Sequence, residues 1–223
     1  MTTRAVVVMG KLPRPGRVKT RMCPPLTPER AAHLYGAFLA DVFVYVDGET
    51  NERRVFSCAL VEGDTVDEAR ALAPAGWNVV AQSGEGLGAR IEDARTRGAA
   101  DHVLVLGSDA PTMAPGRIRA AFAALAEHDA VFGPTEDGGY DLVGFAGPQP
   151  ALLRDIPWST SEVMAATERA AAGADLKIVK LSVGYDVDRA EDLERALADA
   201  KRLERVHTRR AIEATLASQT TDD

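Results

Sequence analysis

Asp109 stands in Gly107-Ser108-Asp109-Ala110-Pro111, directly after the fully apolar run Val103 to Leu106. Such a run reads as a buried central strand. In open α/β sheets, ligands bind beyond the carboxyl ends of the strands, so Asp109 is projected to where chemistry normally happens. A carboxylate there can hold a hard divalent cation, which in turn bridges the oxygens of a diphosphate or triphosphate. The alternative is a plain cap of the following turn. A second acidic element is Tyr185-Asp186-Val187-Asp188. If this stretch is extended, Asp186 and Asp188 point the same way, because side chains alternate with period two. Magnesium takes only one or two protein carboxylates, and Asp109 with Asp188 meets that count. The alternative for either Asp186 or Asp188 is the N-cap of a following helix.

Cations supply the complementary half. Lys11, Arg14, Arg17, Lys19 and Arg21 lie within eleven residues that contain no acid. Their charges suit phosphates, and arginine binds them bidentately. The loop follows the first apolar run, Ala5 to Met9, so it shares a sheet edge with Asp109. It is not a Walker A loop, since no glycine precedes Lys19-Thr20. Gln82-Ser83-Gly84-Glu85-Gly86-Leu87-Gly88-Ala89-Arg90 is a strand-to-helix turn whose glycines let backbone approach a flat ligand. Its Gly-x-Gly-x-Gly spacing departs from the dinucleotide fingerprint. Gln82 offers a donor and an acceptor to a base edge. In Gly133 to Tyr140, Asp137 is a candidate general base and Tyr140 a stacking face, against the alternative of a tight turn. Pro157-Trp158-Ser159-Thr160 adds an aromatic and two hydroxyls, with Trp158 equally suited to the core.

These residues must be positioned by elements, and the apolar pattern predicts them. Strands are expected at 5–9, 55–60, 79–81, 103–106, 130–132, 142–145 and 177–181. Helices are expected from Pro28 through about four turns, over 66–72, from the glycine turn to about Arg97, from Pro115 to about Glu127, from a Ser159 or Thr160 cap to about Ala171, and from Ala190 to about Leu216. Strands alternating with helices specify an α/β domain with a mainly parallel sheet. No repeat, linker or break in composition divides residues 1–223, so one domain is expected, with about 198–223 forming a C-terminal helix and a polar tail.

Composition sets outer limits. The 223 residues carry 26 Lys+Arg against 33 Asp+Glu, a net charge of −7, which argues against a nucleic-acid partner. Cys23 and Cys58 form neither a disulfide framework nor a zinc motif. The N-terminal apolar run is too short for a signal-peptide core or a membrane span. A reducing cytoplasm is the expected location.

Taken in order, Lys11-x-Pro13 with Gly16 to Arg21, Gln82 to Arg90, Gly107 to Pro111, Gly133 to Tyr140, Trp158 to Thr160 and Asp186 to Leu193 resemble the bacterial glycosyltransferase-like proteins of the nucleotide-diphospho-sugar transferase superfamily. The resemblance covers about residues 5 to 197. It implies a GT-A type fold, a three-layer α/β/α sandwich. It further implies Mg2+ or Mn2+ on Asp109, Asp188 and, more weakly, Asp186. The basic loop would hold the phosphates through Lys19 and Arg21, Gln82 and the glycine turn with Gly86 and Gly88 would contact the base, and Lys11, Arg17, Arg90 and Ser108 complete the expected nucleotide- and phosphate-binding set. The acceptor side would be Gly138, Gly139, Tyr140, Trp158, Ser159 and Thr160, with Asp137 and Lys19 catalytic. Arg189-Ala190 departs from a common Thr-Pro, and Asp141 from a common aromatic. Lys11 to Asp41 is also similar to 2-phospholactate guanylyltransferases. Two enzymatic readings follow: glycosyl transfer from a nucleotide sugar to a small acceptor, and nucleotidylyl transfer from a nucleoside triphosphate with release of pyrophosphate. Non-catalytic nucleotide binding is the third.

Overall fold

Alternation along the first strand sends Ala5 and Val7 to one face of a sheet and Val6 and Val8 to the other, all four fully buried. That is the pattern of a central strand covered by helices on both sides. The computed structural model describes residues 1–219. Its strands are β1 Arg4–Lys11, β2 Arg53–Ala59, β3 Asn78–Ala81, β4 His102–Leu106, β5 Ala130–Pro134, β6 Tyr140–Ala146 and β7 Ile178–Lys180. The helices are α1 Pro28–Glu49, α2 Val66–Leu72, α3 Gly86–Gly98, α4 Arg117–Ala124, α5 Val163–Gly173, α6 Leu193–Arg202 and α7 Val206–Gln219.

The seven strands form one sheet in the order β3-β2-β1-β4-β6-β5-β7. Only β6 runs against the rest, paired antiparallel with both β4 and β5. One face is closed by α1, α2 and α4, which enclose Phe43, Phe56, Leu104, Leu106 and Phe122. The other is closed by α3 and α5 over Val55, Val105, Phe132 and Phe145. The result is the three-layer α/β/α sandwich expected from the sequence. Outside it, α6 and α7 pack on the far side of α1 through Leu34, Phe38, Leu193, Ala196 and Ile212.

Strand order decides where ligands go. The chain leaves β1 toward β2 and β3, then crosses back to β4 on the other flank of β1. The loops after β1 and β4 therefore part from each other at a topological switch point, the crevice where open α/β sheets bind ligands.

Besides shifts of up to three residues at the ends of α4 and several strands, three helix boundaries differ from expectation for local reasons. Helix α1 runs 22 residues rather than about four turns, because Phe43, Tyr45 and Val46 keep extending its buried face. Its start is as expected, with the Thr27 hydroxyl accepting from the Arg30 amide at 3.3 Å and Pro28 at the first helical position. Helix α5 begins at Val163, not at a Ser159 or Thr160 cap: Thr160 is spent on a turn with Pro157 and Glu162, and the Gly138 carbonyl accepts from the Met164 amide. The single C-terminal helix expected from Ala190 is broken at 203–205, where Glu204 adopts φ 56°. The break lets α7 start against the buried Asp41 of α1, whose carboxylate accepts from the Thr208 amide at 2.6 Å. The polar tail expected at the C-terminus lies, from residue 220 on, outside the described residues. Among the described residues no helix is long and apolar enough to cross a membrane.

Candidate active site

Beyond the carboxyl ends of β1 and β4 lies a cavity of about 570 Å³. Its acidic wall is Asp109, from the loop after β4, facing Asp186 and Asp188 from the segment between β7 and α6. The segment is extended as expected: Val187 is fully buried on the opposite side, and its amide donates to the Asp109 carbonyl at 3.0 Å. That bond ties the two acidic loops together. Downstream, Asp192 accepts from the amides of Asp188 and Arg189 at 2.9 and 2.7 Å, so Asp192, not Asp186 or Asp188, makes the local cap.

Lys19 lies between the two acidic loops. Its residue sits in the left-handed region at φ 47°, and its side chain is 3% exposed. Its ammonium lies 2.5 Å from Asp109 Oδ1 and 2.8 Å from Asp188 Oδ1, beneath the Phe38 ring at 5.8 Å. Burial disfavours the charge, but the two carboxylates outweigh it and hold Lys19 above the ordinary lysine range. In this structure Lys19 bridges the two acids and also lines the cavity. Lys11, Arg17, Arg21, Arg90 and Ser108 line the same cavity. Arg21 Nη1 stands 3.6 Å from Asp188 Oδ2. Arg14, by contrast, turns away to Asp64 at 3.2 Å and Glu68 at 2.5 Å.

Asp186 sits deeper. Burial, reinforced by Asp109, Asp141, Asp137 and Asp188, pushes its carboxyl up to about 8. A carboxyl whose folded pKa exceeds its unfolded value of about 3.9 stabilises the fold fully below that value. The contribution is lost as pH rises through about 8. The ligand-free protein is therefore expected to melt at progressively lower temperature from about pH 5 to about pH 8, and Asp186→Asn is expected to flatten that slope. A melting series in which the variant keeps the wild-type slope would refute the assignment.

Several expected ligand contacts are taken by the protein itself. The Gln82 amide donates to the Ser57 carbonyl at 2.8 Å and the Gly10 carbonyl at 3.3 Å, bracing the ends of β1 and β2, so its donor is not open to a base edge. The buried Ser108 hydroxyl meets the Tyr35 hydroxyl at 2.9 Å, and Tyr35 also accepts from the Lys11 amide at 2.8 Å. Gly86 opens α3 at φ 78° but does not line the cavity, whereas Leu87, Arg90 and Ile91 do. Gly88 faces Leu153 and Trp158, where any Cβ would strike the Leu153 carbonyl oxygen. Gly88→Ala is expected to cost about 2 kcal/mol by overpacking, measurable as a lower urea midpoint with an unchanged slope.

The acceptor side contracts further. Asp137 is exposed and does not line the cavity; its carboxylate accepts from the Thr135 hydroxyl at 2.6 Å and the Gly139 amide at 3.0 Å, which is a turn and not a poised base. Gly138, at φ 88°, lets this turn press on Ser161, and Gly139 lies in the same turn. Tyr140 borders the cavity, but its ring is held edge-on between Phe132 and Trp158, at 5.2 and 6.1 Å, so it offers no stacking face. Trp158 and Thr160 do not line the cavity. Of the expected acceptor residues, only Ser159 and the edge of Tyr140 reach it.

One pair escaped sequence reasoning. Arg117 and Asp141 are 4% and 2% exposed and meet at 2.9 Å. Arg117 also donates to the Ser182 carbonyl at 2.7 Å, and the Asp141 carbonyl accepts from the Gly107 amide at 2.9 Å. The pair thus braces the loop that leads to Asp109 and the one that leads to Asp186. Burial raises the Asp141 carboxyl to about 6 against the pull of Arg117. The aromatic-to-acid departure at Asp141 was the one hint available.

Over residues 38–160 the chain matches a family described as uncharacterized proteins conserved in bacteria (DUF2064). The chain belongs to this family. A protein from Desulfovibrio desulfuricans G20, provisionally assigned as a nucleotide-diphospho-sugar transferase, is 28% identical over 97% of this chain and 96% of its own, with a TM-score of 0.88. Glucosyl-3-phosphoglycerate synthase from Mycobacterium tuberculosis, solved with Mn2+, UDP and glucosyl-3-phosphoglycerate, is 15% identical, covers 92% and 80% of the two chains and has a TM-score of 0.52. A cytidylyltransferase from Leptospira borgpetersenii is 13% identical over 99% and 96%, with a TM-score of 0.56. The last two show shared fold alone. No curated protein matches. The fold of this family member is therefore that of the nucleotide-diphospho-sugar transferases, as the sequence resemblance implied.

Proposed function

We propose that this protein is a transferase that uses a nucleotide-activated sugar and passes the glycosyl group to a small acceptor with the help of Mg2+ or Mn2+. The observation that carries this reading is the pairing, across one cavity, of Asp109, Asp186 and Asp188 with a lip formed by Lys11, Arg17, Arg21 and Arg90. Among the described residues no three His, Cys, Asp or Glu side chains form a ready metal group. Asp109 and Asp188 nonetheless bring one oxygen each within 2.8 Å of a single cationic nitrogen. Hard oxygen donors of this kind and number suit magnesium or manganese, whose remaining positions are filled by water and phosphate. Bound there, the ion would neutralise charge on a departing diphosphate.

The chain's own groups divide the rest of the work. The lip arginines and Lys11 bind and orient the phosphates, and the preformed positive field offsets charge that develops as the diphosphate leaves. The Tyr35–Ser108 bond and the Gln82 amide keep the ends of β1, β2 and β4 in register beneath the nucleotide. Leu87 and Ile91 supply apolar wall on the α3 side, where they exclude water.

Nucleotidylyl transfer is the second reading. The favouring observation is that five cations line one cavity, enough to hold a triphosphate, and the cytidylyltransferase likeness fits it. Incubation with UDP-, GDP-, ADP- and CDP-sugars plus Mg2+ or Mn2+ separates the two. Release of nucleoside diphosphate that depends on an acceptor supports the first reading. Pyrophosphate release from a nucleoside triphosphate with a sugar phosphate, and none of the former, supports the second. Metal-dependent nucleotide binding without either product would leave the protein as a binder only.

A further inference from the structure

The gap between Asp109 and Asp188 already holds a cation of the protein's own. The Lys19 ammonium lies 2.5 and 2.8 Å from one oxygen of each acid, and its side chain is 3% exposed. A divalent ion held by those oxygens sits about 2.1 Å from each. Through a shared oxygen, such an ion and the ammonium would lie within about 5 Å of each other, and like charges at that distance repel. Phe38 covers Lys19 on one side, and Arg21 adds a second positive charge 3.6 Å from Asp188. The ion and the ammonium therefore compete for these carboxylates. An anion brought by the ligand offers the displaced lysine a new partner, and the cavity that Lys19 borders is the one assigned to the phosphate chain.

We propose that the Lys19 ammonium is the resident counter-ion of the Asp109–Asp188 pair, and that a divalent cation takes its place only when a phosphate chain is present to receive the lysine. Metal and nucleotide then bind with positive coupling, each raising the affinity of the other by the same factor. This rests on the reading of Asp109 and Asp188 as metal ligands given above. Lys19 acts here as a positioning residue: it keeps the two carboxylates converged and compensated in the empty site, and it delays the ion until the substrate's phosphates arrive.

The test is Mn2+ binding to the full chain, read from loss of the free-ion electron paramagnetic resonance signal and therefore independent of turnover. In the absence of nucleotide, Lys19→Met is expected to bind Mn2+ at least about tenfold more tightly than wild type, because the competitor has gone. Arg14→Gln removes the same charge from a loop position that faces Asp64 and Glu68 instead of these carboxylates, and is expected to change affinity less than about threefold. With UDP, GDP, ADP and CDP added in turn, the gain in Mn2+ affinity is expected to be smaller in Lys19→Met than in wild type. Lys19→Gln repeats the measurement with a polar side chain if the methionine variant does not fold. Unchanged or weaker Mn2+ binding in the Lys19 variants overturns the proposal, and so does equal tightening in Arg14→Gln, which would reduce the effect to net charge. Mn2+ binding that survives Asp109→Asn combined with Asp188→Asn fails differently: it overturns the metal-ligand reading itself and removes the premise.

Discussion

Exchange of Asp109 for asparagine is expected to lower turnover by about a hundredfold to a thousandfold, the range seen when one preorganised electrostatic group is removed from a transition state. The substitution keeps the side chain's shape and removes the charge that Asp109 contributes to the acidic wall. The fold should survive, since the Asp109 side chain is 46% exposed and Lys19 keeps Asp188 as a partner at 2.8 Å. Steady-state kinetics with the active nucleotide substrate, set beside a melting curve, checks both halves of this expectation. Turnover within tenfold of wild type would remove Asp109 from the machinery. Asp137→Asn supplies the contrast: its carboxylate is bound within an exposed turn, and turnover is expected to change by less than about threefold.

Arg117→Met is expected to have the largest effect on stability, about 3–5 kcal/mol, because it leaves the Asp141 carboxylate buried without its counter-charge. Both side chains are at most 4% exposed, so water cannot take over the lost pairing. Combining Arg117→Met with Asp141→Leu removes the stranded charge and is expected to restore most of the loss, since apolar replacement of a whole buried pair is often neutral. Urea unfolding of the two variants measures this directly. A single variant within about 1 kcal/mol of wild type would mean that the pair contributes little. The single variant should also loosen the site, because Arg117 holds the Ser182 carbonyl, which precedes Asp186.

Patterns that operate within one element were legible in the sequence. The unbroken apolar run Val103 to Leu106 marked the central strand, so Asp109 could be placed at its carboxyl end. Period two around the buried Val187 placed Asp186 and Asp188 on one side. The acid-free run from Lys11 to Arg21 marked the basic loop, and four of its cations, Lys11, Arg17, Lys19 and Arg21, line the cavity together with Arg90. Element ends were less legible: the break at 203–205 depends on Asp41, which lies more than 160 residues earlier and caps α7 only after the chain has folded back.

Side-chain partnerships between elements were not legible. Lys19 looks like any other cation of its loop, and only the approach of β1 to β4, with the 185–188 segment closing over both, brings it between two acids. Gln82, Gly88, Tyr140 and Trp158 carry the chemistry of ligand contacts, yet each is used for packing or bracing because a neighbouring element arrives at the same place. The sequence by itself determined the sheet-and-helix alternation, the loop that bears each charge and the side of the strand that each aspartate faces, because these follow from local periodicity. Tertiary structure alone decided which charges meet and which remain open to a ligand, because burial and distance between loops depend on strand order.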